Sequence, residues 1–249
     1  MAEYIEGKRP ILEALDTSIP IKRVLIADNL KRDNLVQSIM RKAKAADIPV
    51  VETRPAKLDE LSERGSHQGL MAEAAPFAYA NLQDIINRAE AQAAEHDGRA
   101  LIVILDHITD AGNLGAIARS AEVVGAAGIV IPNKRSARVT ASTYKSSAGA
   151  ISHIPIAQVA NIKQTCARLK DAGFWIAGAS EHAEELIWQT NMRGKMVLIM
   201  GNEGEGLARL TLESCDFLVR LPQVGKTESL NVAQAATACM FEWLRQNTE

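Results

Sequence analysis

From Leu101 onward the chain returns at intervals to short runs of apolar residues. LIVIL (101–105) carries no polar side chain at all. A strand of that kind has both faces buried, as in a parallel sheet covered by helices. IVIP (129–132), FWIAGAS (174–180), MVLIM (196–200) and FLVRLP (217–222) are the other strands expected. Helical patterns over 113–125, 140–149, 161–172 and 230–245 fill the intervals. Such alternation predicts an α/β domain.

The amino-terminal stretch repeats this grammar on a smaller scale. GKRPILEALD (7–16) reads as a helix and IKRVLIA (21–27) as a strand. Residues 29–48 read as a helix that turns Leu35 and Ile39 inward and ends in a basic turn. PVVE is a short strand, KLDELSER (57–64) a short helix and HQGLMAEA (67–74) a returning strand. The expectation is an αβαβαβ unit over 1–76, a linker over 77–98 that includes a polar, alanine-rich helix, and a second domain over 99–249. There is no internal repeat.

Composition narrows the class. Apolar residues make up 47% and charged residues 23%, as in an ordinary globular chain, and the net charge of -2 gives no bulk attraction for a polyanion. Cys166, Cys215 and Cys239 form no CxxC pair, which points to a reducing compartment and away from a disulfide framework or a zinc site. MAEYIEGKRP lacks the apolar run of a signal peptide. No uncharged run reaches the roughly 18 residues of a membrane span, so a cytoplasmic location is expected. Charge is nevertheless uneven. Between Val123 and Lys170 there is no Asp or Glu, whereas Lys134, Arg135, Arg138, Lys145, Lys163, Arg168 and Lys170 fall in that window. A local excess of this kind can attract a polyanion by counterion release; a solvated surface whose acids lie elsewhere in the chain is the other reading.

Several chemistries are excluded by their missing signatures. No GxGxxG follows a strand, and GxxxxGK[ST], GxSxG and HExxH are all absent. Three other blocks stand out. A helix starting at Asn113 would bury a stripe of Leu114, Ile117, Ala118 and Ala121. At roughly 100° per residue Arg119 then points away from that stripe, one turn beyond Gly115. Gly115 leaves backbone open to a ligand, and Asn113 suits an N-cap; a capped surface helix with a solvated Arg119 fits the same spacing. After MVLIM, Gly201, Gly204 and Gly206 allow a tight turn around Glu203 at a strand's carboxyl end, where α/β proteins bind ligands. Ser229 and Asn231 lie at a helix start, where backbone N–H groups are free; a plain N-cap also accounts for Ser229.

Together these blocks resemble the SpoU (TrmH-type) family of RNA 2′-O-ribose methyltransferases over the whole chain. N-x-G-x-x-x-R appears as Asn113, Gly115 and Arg119; G-x-E-x-x-G as Gly201, Glu203 and Gly206; S-L-N-V as Ser229, Leu230, Asn231 and Val232. Within the family the chain looks most like the members that methylate a guanosine ribose in bacterial 23S rRNA. GKRPILEAL and HQG (67–69) are similar to the family's small RNA-binding domain. The resemblance implies an α/β-knot (SPOUT, deep trefoil) methyltransferase domain behind an L30-like RNA-binding domain. It implies a homodimer without metal that uses S-adenosyl-L-methionine, held by backbone at Gly201, Leu221 and Leu230. It also implies a catalytic set of Arg119, Asn113, Glu203, Ser229 and Asn231, with Arg119 assisting loss of the 2′-hydroxyl proton. Arginine is almost always protonated, so stabilisation of a developing alkoxide is the softer version of that role.

The chain departs from the family pattern in places. Asp110-Ala111 stands for Asp-Pro, Ala233 and Gln234 follow SLNV where Ser is usual, and LPQ replaces IPM before the third motif. Two other readings stay open: the same chemistry on tRNA or another rRNA nucleotide, and an RNA-binding module without catalysis.

Overall fold

Glu3–Glu6, a stretch too charged to announce a strand, forms β1 in the computed structural model, which describes residues 3–16, 19–62, 65, 67–202, 204–227 and 229–248. α1 (Lys8–Asp16), β2 (Ile21–Ala27), α2 (Asn34–Ala45), β3 (Val50–Thr53), α3 (Pro55–Leu61) and β4 (Leu70–Ala74) follow. The sheet order is β1-β4-β2-β3. β2 and β3 run parallel, and β4 runs antiparallel to both β1 and β2. The expected αβαβαβ pattern therefore gains a leading strand, held by backbone pairing from Glu3↔Ala74 to Glu6↔Met71 rather than by an apolar run of its own. α2 starts later than residue 29 because Asp33 caps it, its Oδ1 accepting from the N–H groups of Leu35 and Val36 at 3.1 and 2.9 Å. Glu63 and Arg64, at the end of the helix expected over 57–64, lie outside the described residues. Leu25, Leu58 and Met71 pack together beneath the sheet.

Chain contacts divide the protein into Met1–Ala78 and Tyr79–Glu249. The segment expected as a linker over 77–98 is otherwise engaged. Within it α4 (Leu82–Glu95) buries Leu82, Ile85, Ile86 and Ala89 in the core of the second unit. Its alanines and polar residues hide an i, i+3, i+4 apolar stripe. Gly128 admits this helix, since a Cβ there would stand 2.8 Å from Ile85.

The second unit continues with β5 (Ala100–Leu105), α5 (Ala111–Val123), β6 (Gly128–Pro132), α6 (Ala141–Ser147), β7 (Ile156–Val159), α7 (Ile162–Asp171), β8 (Trp175–Ala179), β9 (Lys195–Met200), α8 (Arg209–Leu212), β10 (Phe217–Val219) and α9 (Val232–Thr248). Its strands pair in parallel in the order β10-β8-β9-β5-β6-β7. β7 (IAQV) escaped the sequence reading because a glutamine interrupts it, and it pairs with β6 at the edge. Alternate residues of the strands face opposite layers. Ile102, Ile104, Val130, Ile176 and Val197 meet α4 and α7 through Ile85, Cys166 and Leu169. Leu101, Val103 and Leu105 are equally buried. α5 and α9 pack on each other, α5 also on β6 and α9 also on β9.

Gly115 decides how tightly α5 and α6 approach. A Cβ there would lie 2.0 Å from Ser146 Oγ, 2.4 Å from the Thr143 carbonyl oxygen and 3.0 Å from the Ser147 nitrogen. Gly115 is buried against α6, so it serves helix packing and does not open backbone to a ligand. The expectation drawn from its missing side chain is corrected accordingly: the space beside it is filled by another helix.

Two outcomes follow from this packing. Gly115→Ala forces α6 away from α5 and lowers stability by about 1–3 kcal/mol, read as a fall in Tm. The three cysteines are free. Burial pushes the thiols up, to about 11 for Cys166 and about 12 for Cys215 and Cys239. A thiol that holds its proton only in the folded chain makes the unfolded chain the weaker proton binder above pH 9, so stability falls as pH rises from about 9 toward 11. Iodoacetamide at pH 8 is expected to label the folded protein slowly and the denatured protein at all three cysteines.

Candidate active site at the carboxyl edge of the second sheet

Strand register puts four chain exits side by side. Leu105 pairs with Met200, Met200 with Ala179 and Ala179 with Val219. The chain therefore leaves the sheet at Asp106, Gly201, Ser180 and Arg220 along one row, the edge where open parallel sheets bind ligands. A cavity of about 250 Å³ opens there. Its lining mixes apolar side chains, among them Met200, Leu207, Leu212, Val219 and Cys239, with polar and charged ones, among them Ser180, Glu181, His182, Asn202, Glu205, Arg220, Gln223 and Ser229.

The structure brings part of the expected site to this cavity. Gly201, Leu221, Leu230 and Ser229 line it. Asn231 stands beside them, and its Nδ2 donates to Asn113 Oδ1 at 3.0 Å, which joins the first and third motifs across 118 residues of sequence. Arg119 is exposed on α5 and is not among the residues that line the cavity. Glu203 lies outside the described residues.

Both helix caps differ from expectation. α5 begins at Ala111, not Asn113, because Asp110 caps it with Oδ1 accepting from Asn113 N at 2.6 Å. With the cap supplied by Asp110, the Asn113 side chain turns to Asn231. At α9 the capping side chain is Asn231, whose Oδ1 accepts from Ala233 N at 2.9 Å, rather than Ser229. Ser229 is exposed before the helix and faces the cavity.

The glycine loop is tightly folded. The Asn202 and Gly206 backbones exchange two hydrogen bonds of 2.9 Å each. A Cβ on Gly201 would stand 2.3 Å from the Gly206 carbonyl carbon, so only glycine fits there. Gly206 adopts φ +66, which also favours glycine. Sequence reading overlooked two polar residues at this edge. Asp106, 1% exposed, receives Ala208 N on Oδ2 at 2.8 Å. Asn202 donates from Nδ2 to the His107 carbonyl at 2.9 Å and accepts from Gly204 N at 2.9 Å. A carboxylate directly after an uninterrupted apolar strand was the available signal for Asp106.

The basic window divides in two. Lys134, Arg135 and Arg138 are exposed on the loop after β6, anchored where Ala137 N donates to the Ile108 carbonyl at 2.7 Å. On α7, Lys170 pairs with Asp216 at 2.6 Å and Arg168 donates to Gln83 at 3.1 Å. The acid partner missing from the local sequence is thus supplied by a distant segment. Among the described residues no group of His, Cys, Asp and Glu could hold a metal ion, and no helix is long and apolar enough to cross a membrane.

Known proteins with the same architecture give this edge its context. Residues 100–241 match the model of the SpoU rRNA Methylase family, and residues 4–80 match that of RNA 2′-O ribose methyltransferase substrate binding. YacO of Bacillus subtilis (strain 168), named for the TrmH family of tRNA/rRNA methyltransferases, is 38% identical over 98% of this chain and 96% of its own length. An uncharacterized tRNA/rRNA methyltransferase of Synechocystis is 37% identical, and the chain spans 62% of that protein's length. Among solved structures, the SpoU methyltransferase AviRb from Streptomyces viridochromogenes, in complex with the cofactor AdoMet, superposes with a TM-score of 0.70 at 25% identity. That match covers 100% of this chain and 91% of AviRb. The AdoMet-bound rRNA methyltransferase from Sinorhizobium meliloti gives a TM-score of 0.67 at 26% identity, covering 98% of this chain and 87% of that one. By sequence over nearly its whole length, and by fold, the chain belongs to the SpoU rRNA methylase family.

Proposed function

We propose that this protein transfers a methyl group from S-adenosylmethionine to the ribose 2′-hydroxyl of a guanosine in 23S rRNA. One observation carries the reading most directly: the Asn113–Asn231 hydrogen bond sets the helix bearing Arg119 against the segment that walls the cavity. The lining suits an amphiphilic cofactor. Its apolar lining residues suit a purine, its polar and charged ones suit the amino and carboxylate groups of the methionyl end, and Gly201 and Gly206 approach each other closely beside it. Gly201, Leu221 and Leu230 are the residues assigned to hold it.

Bound there, the sulfonium supplies an electrophilic methyl carbon, so positioning is the protein's main task. Arg119 is assigned to the ribose oxygen, where its protonated guanidinium stabilises the negative charge that develops as the hydroxyl proton passes to solvent water. Asn113 and Asn231 hold the two helix starts in register, and Ser229, which lines the cavity, and Glu203 are assigned to the same centre. The reading includes a deep trefoil knot in the chain around the cavity and a cytoplasmic homodimer. Val123 and Phe241, exposed on the adjoining helices α5 and α9, support a second copy as their cover. The amino-terminal unit, proposed as L30-like, and the loop bearing Lys134, Arg135 and Arg138 are assigned to RNA.

The test is methylation of total RNA with labelled donor, followed by mapping of alkali-resistant linkages. Label at a guanosine of 23S rRNA is the expected result. Label confined to tRNA overturns the substrate assignment, and absence of both label and donor binding overturns the reading as a whole. Arg119→Ala and Arg119→Lys are each expected to lower the transfer rate by on the order of 100-fold while the donor still binds in calorimetry. Full activity in either variant removes the role given to Arg119. RNA affinity is expected to fall with salt, each neutralised phosphate adding about 0.7 to the steepness of log K against log salt. Replacing Lys134 and Arg135 together by alanine should flatten that slope; an unchanged slope takes the loop out of the RNA interface.

A further inference from the structure

Asp106 has no place in the reaction just described, yet the structure spends a buried carboxylate on it. It leaves the carboxyl end of β5 with 1% of its surface exposed. Burying a carboxylate is costly unless its oxygens are matched by donors. Here both are matched: Oδ2 receives Ala208 N at 2.8 Å, and Oδ1 meets His107 Nδ1 at 2.5 Å. His107 is held at φ +59, a backbone conformation uncommon for a residue with a side chain. In that conformation its carbonyl receives Asn202 Nδ2 at 2.9 Å. The pair of residues after β5 thereby grips both ends of the glycine loop, the departing end at Asn202 and the returning end at Ala208. Between those ends lie Gly204, Gly206 and Leu207, which line the cavity together with Asn202.

A loop rich in glycine has many conformations to lose on closing around a ligand. Fixing it beforehand from outside raises affinity by removing that cost. We infer that Asp106 is a positioning residue for the donor cavity: through Ala208 directly and through His107 and Asn202 it holds the 201–208 loop in the shape that receives the methyl donor. The same segment has a second connection, since the Ile108 carbonyl accepts from Ala137 N and from Ser136 Oγ on the basic loop. Asp106 touches neither donor nor RNA in this assignment. The inference rests on the S-adenosylmethionine reading above.

The experiment measures S-adenosylmethionine binding by calorimetry and steady-state methylation for the wild type, Asp106→Ala, Asp106→Asn and Asn202→Ala. Wild-type binding is read first, because its absence defeats the parent reading and not this one. Given wild-type binding, Asp106→Ala is expected to weaken donor affinity about tenfold and to raise the donor KM by more than it lowers kcat. Asp106→Asn should recover part of the loss, because an amide oxygen still accepts from Ala208 N. If Asp106→Ala does not fold, Asn202→Ala cuts the other end of the same tether and should weaken the donor likewise, combining less than additively with Asp106→Asn. Donor affinity at the wild-type level in folded Asp106→Ala, or in Asn202→Ala, overturns the inference. So does a loss confined to Tm with the KM unchanged.

Discussion

The pairing of β5 with β9 is the constraint on which the second unit depends. Ladder bonds run from Ala100↔Lys195 to Leu105↔Met200, so two strands nearly one hundred residues apart in sequence end at the same level. Both are apolar along almost their whole length and buried between helix layers. Parallel neighbours of this kind need their register fixed from outside, because a uniform apolar strand gives little preference for one pairing over the next. Here the chain supplies the stop directly after each strand. Asp106 N donates to the Met200 carbonyl at 2.8 Å, and the Asp106 side chain takes the backbone N–H of Ala208. The edge of the sheet and the glycine loop are thus one structure.

Around that edge each helix start is shaped by a side chain that makes two connections. Asn231 caps α9 and also donates to Asn113; Asp110 caps α5 by taking the N–H of Asn113, which leaves that asparagine's amide for the neighbouring helix. Ser120 and Thr237 add a hydroxyl contact of 2.6 Å further along the same two helices. On the other side of α5, Gly115 lets α6 come close enough that its backbone occupies the space of a side chain. The motif residues of the first block therefore have different structural parts: Gly115 sets a helix distance, Asn113 sets a helix pair, and Arg119 is exposed.

Much of this was legible before any coordinates. IKRVLIA coincides with β2, and LIVIL and MVLIM lie within β5 and β9, because apolar β-branched runs have few other places to go. The stripe of Leu114, Ile117, Ala118 and Ala121 is buried as its spacing requires. Elements whose stability comes from partners were not legible. β1 has only Tyr4 and Ile5 to mark it and exists because β4 offers it a ladder. α4 reads as linker because alanine and polar residues dominate it, and its apolar stripe counts only when a sheet lies beneath. The basic window looked free of acids until Asp216 arrived beside Lys170.

The sequence alone determined the alternation of strand and helix, the glycine-rich turn after β9, and the three motif blocks that mark the family. These are local properties, set by side-chain periodicity and by the backbone freedom of glycine. Tertiary structure alone decided which polar side chains meet. Asn113 finds Asn231, Asp106 finds Ala208, and Gly115 receives a helix instead of a ligand. Each of these depends on strand order and register, which bring distant segments to one edge, and no local spacing encodes that order.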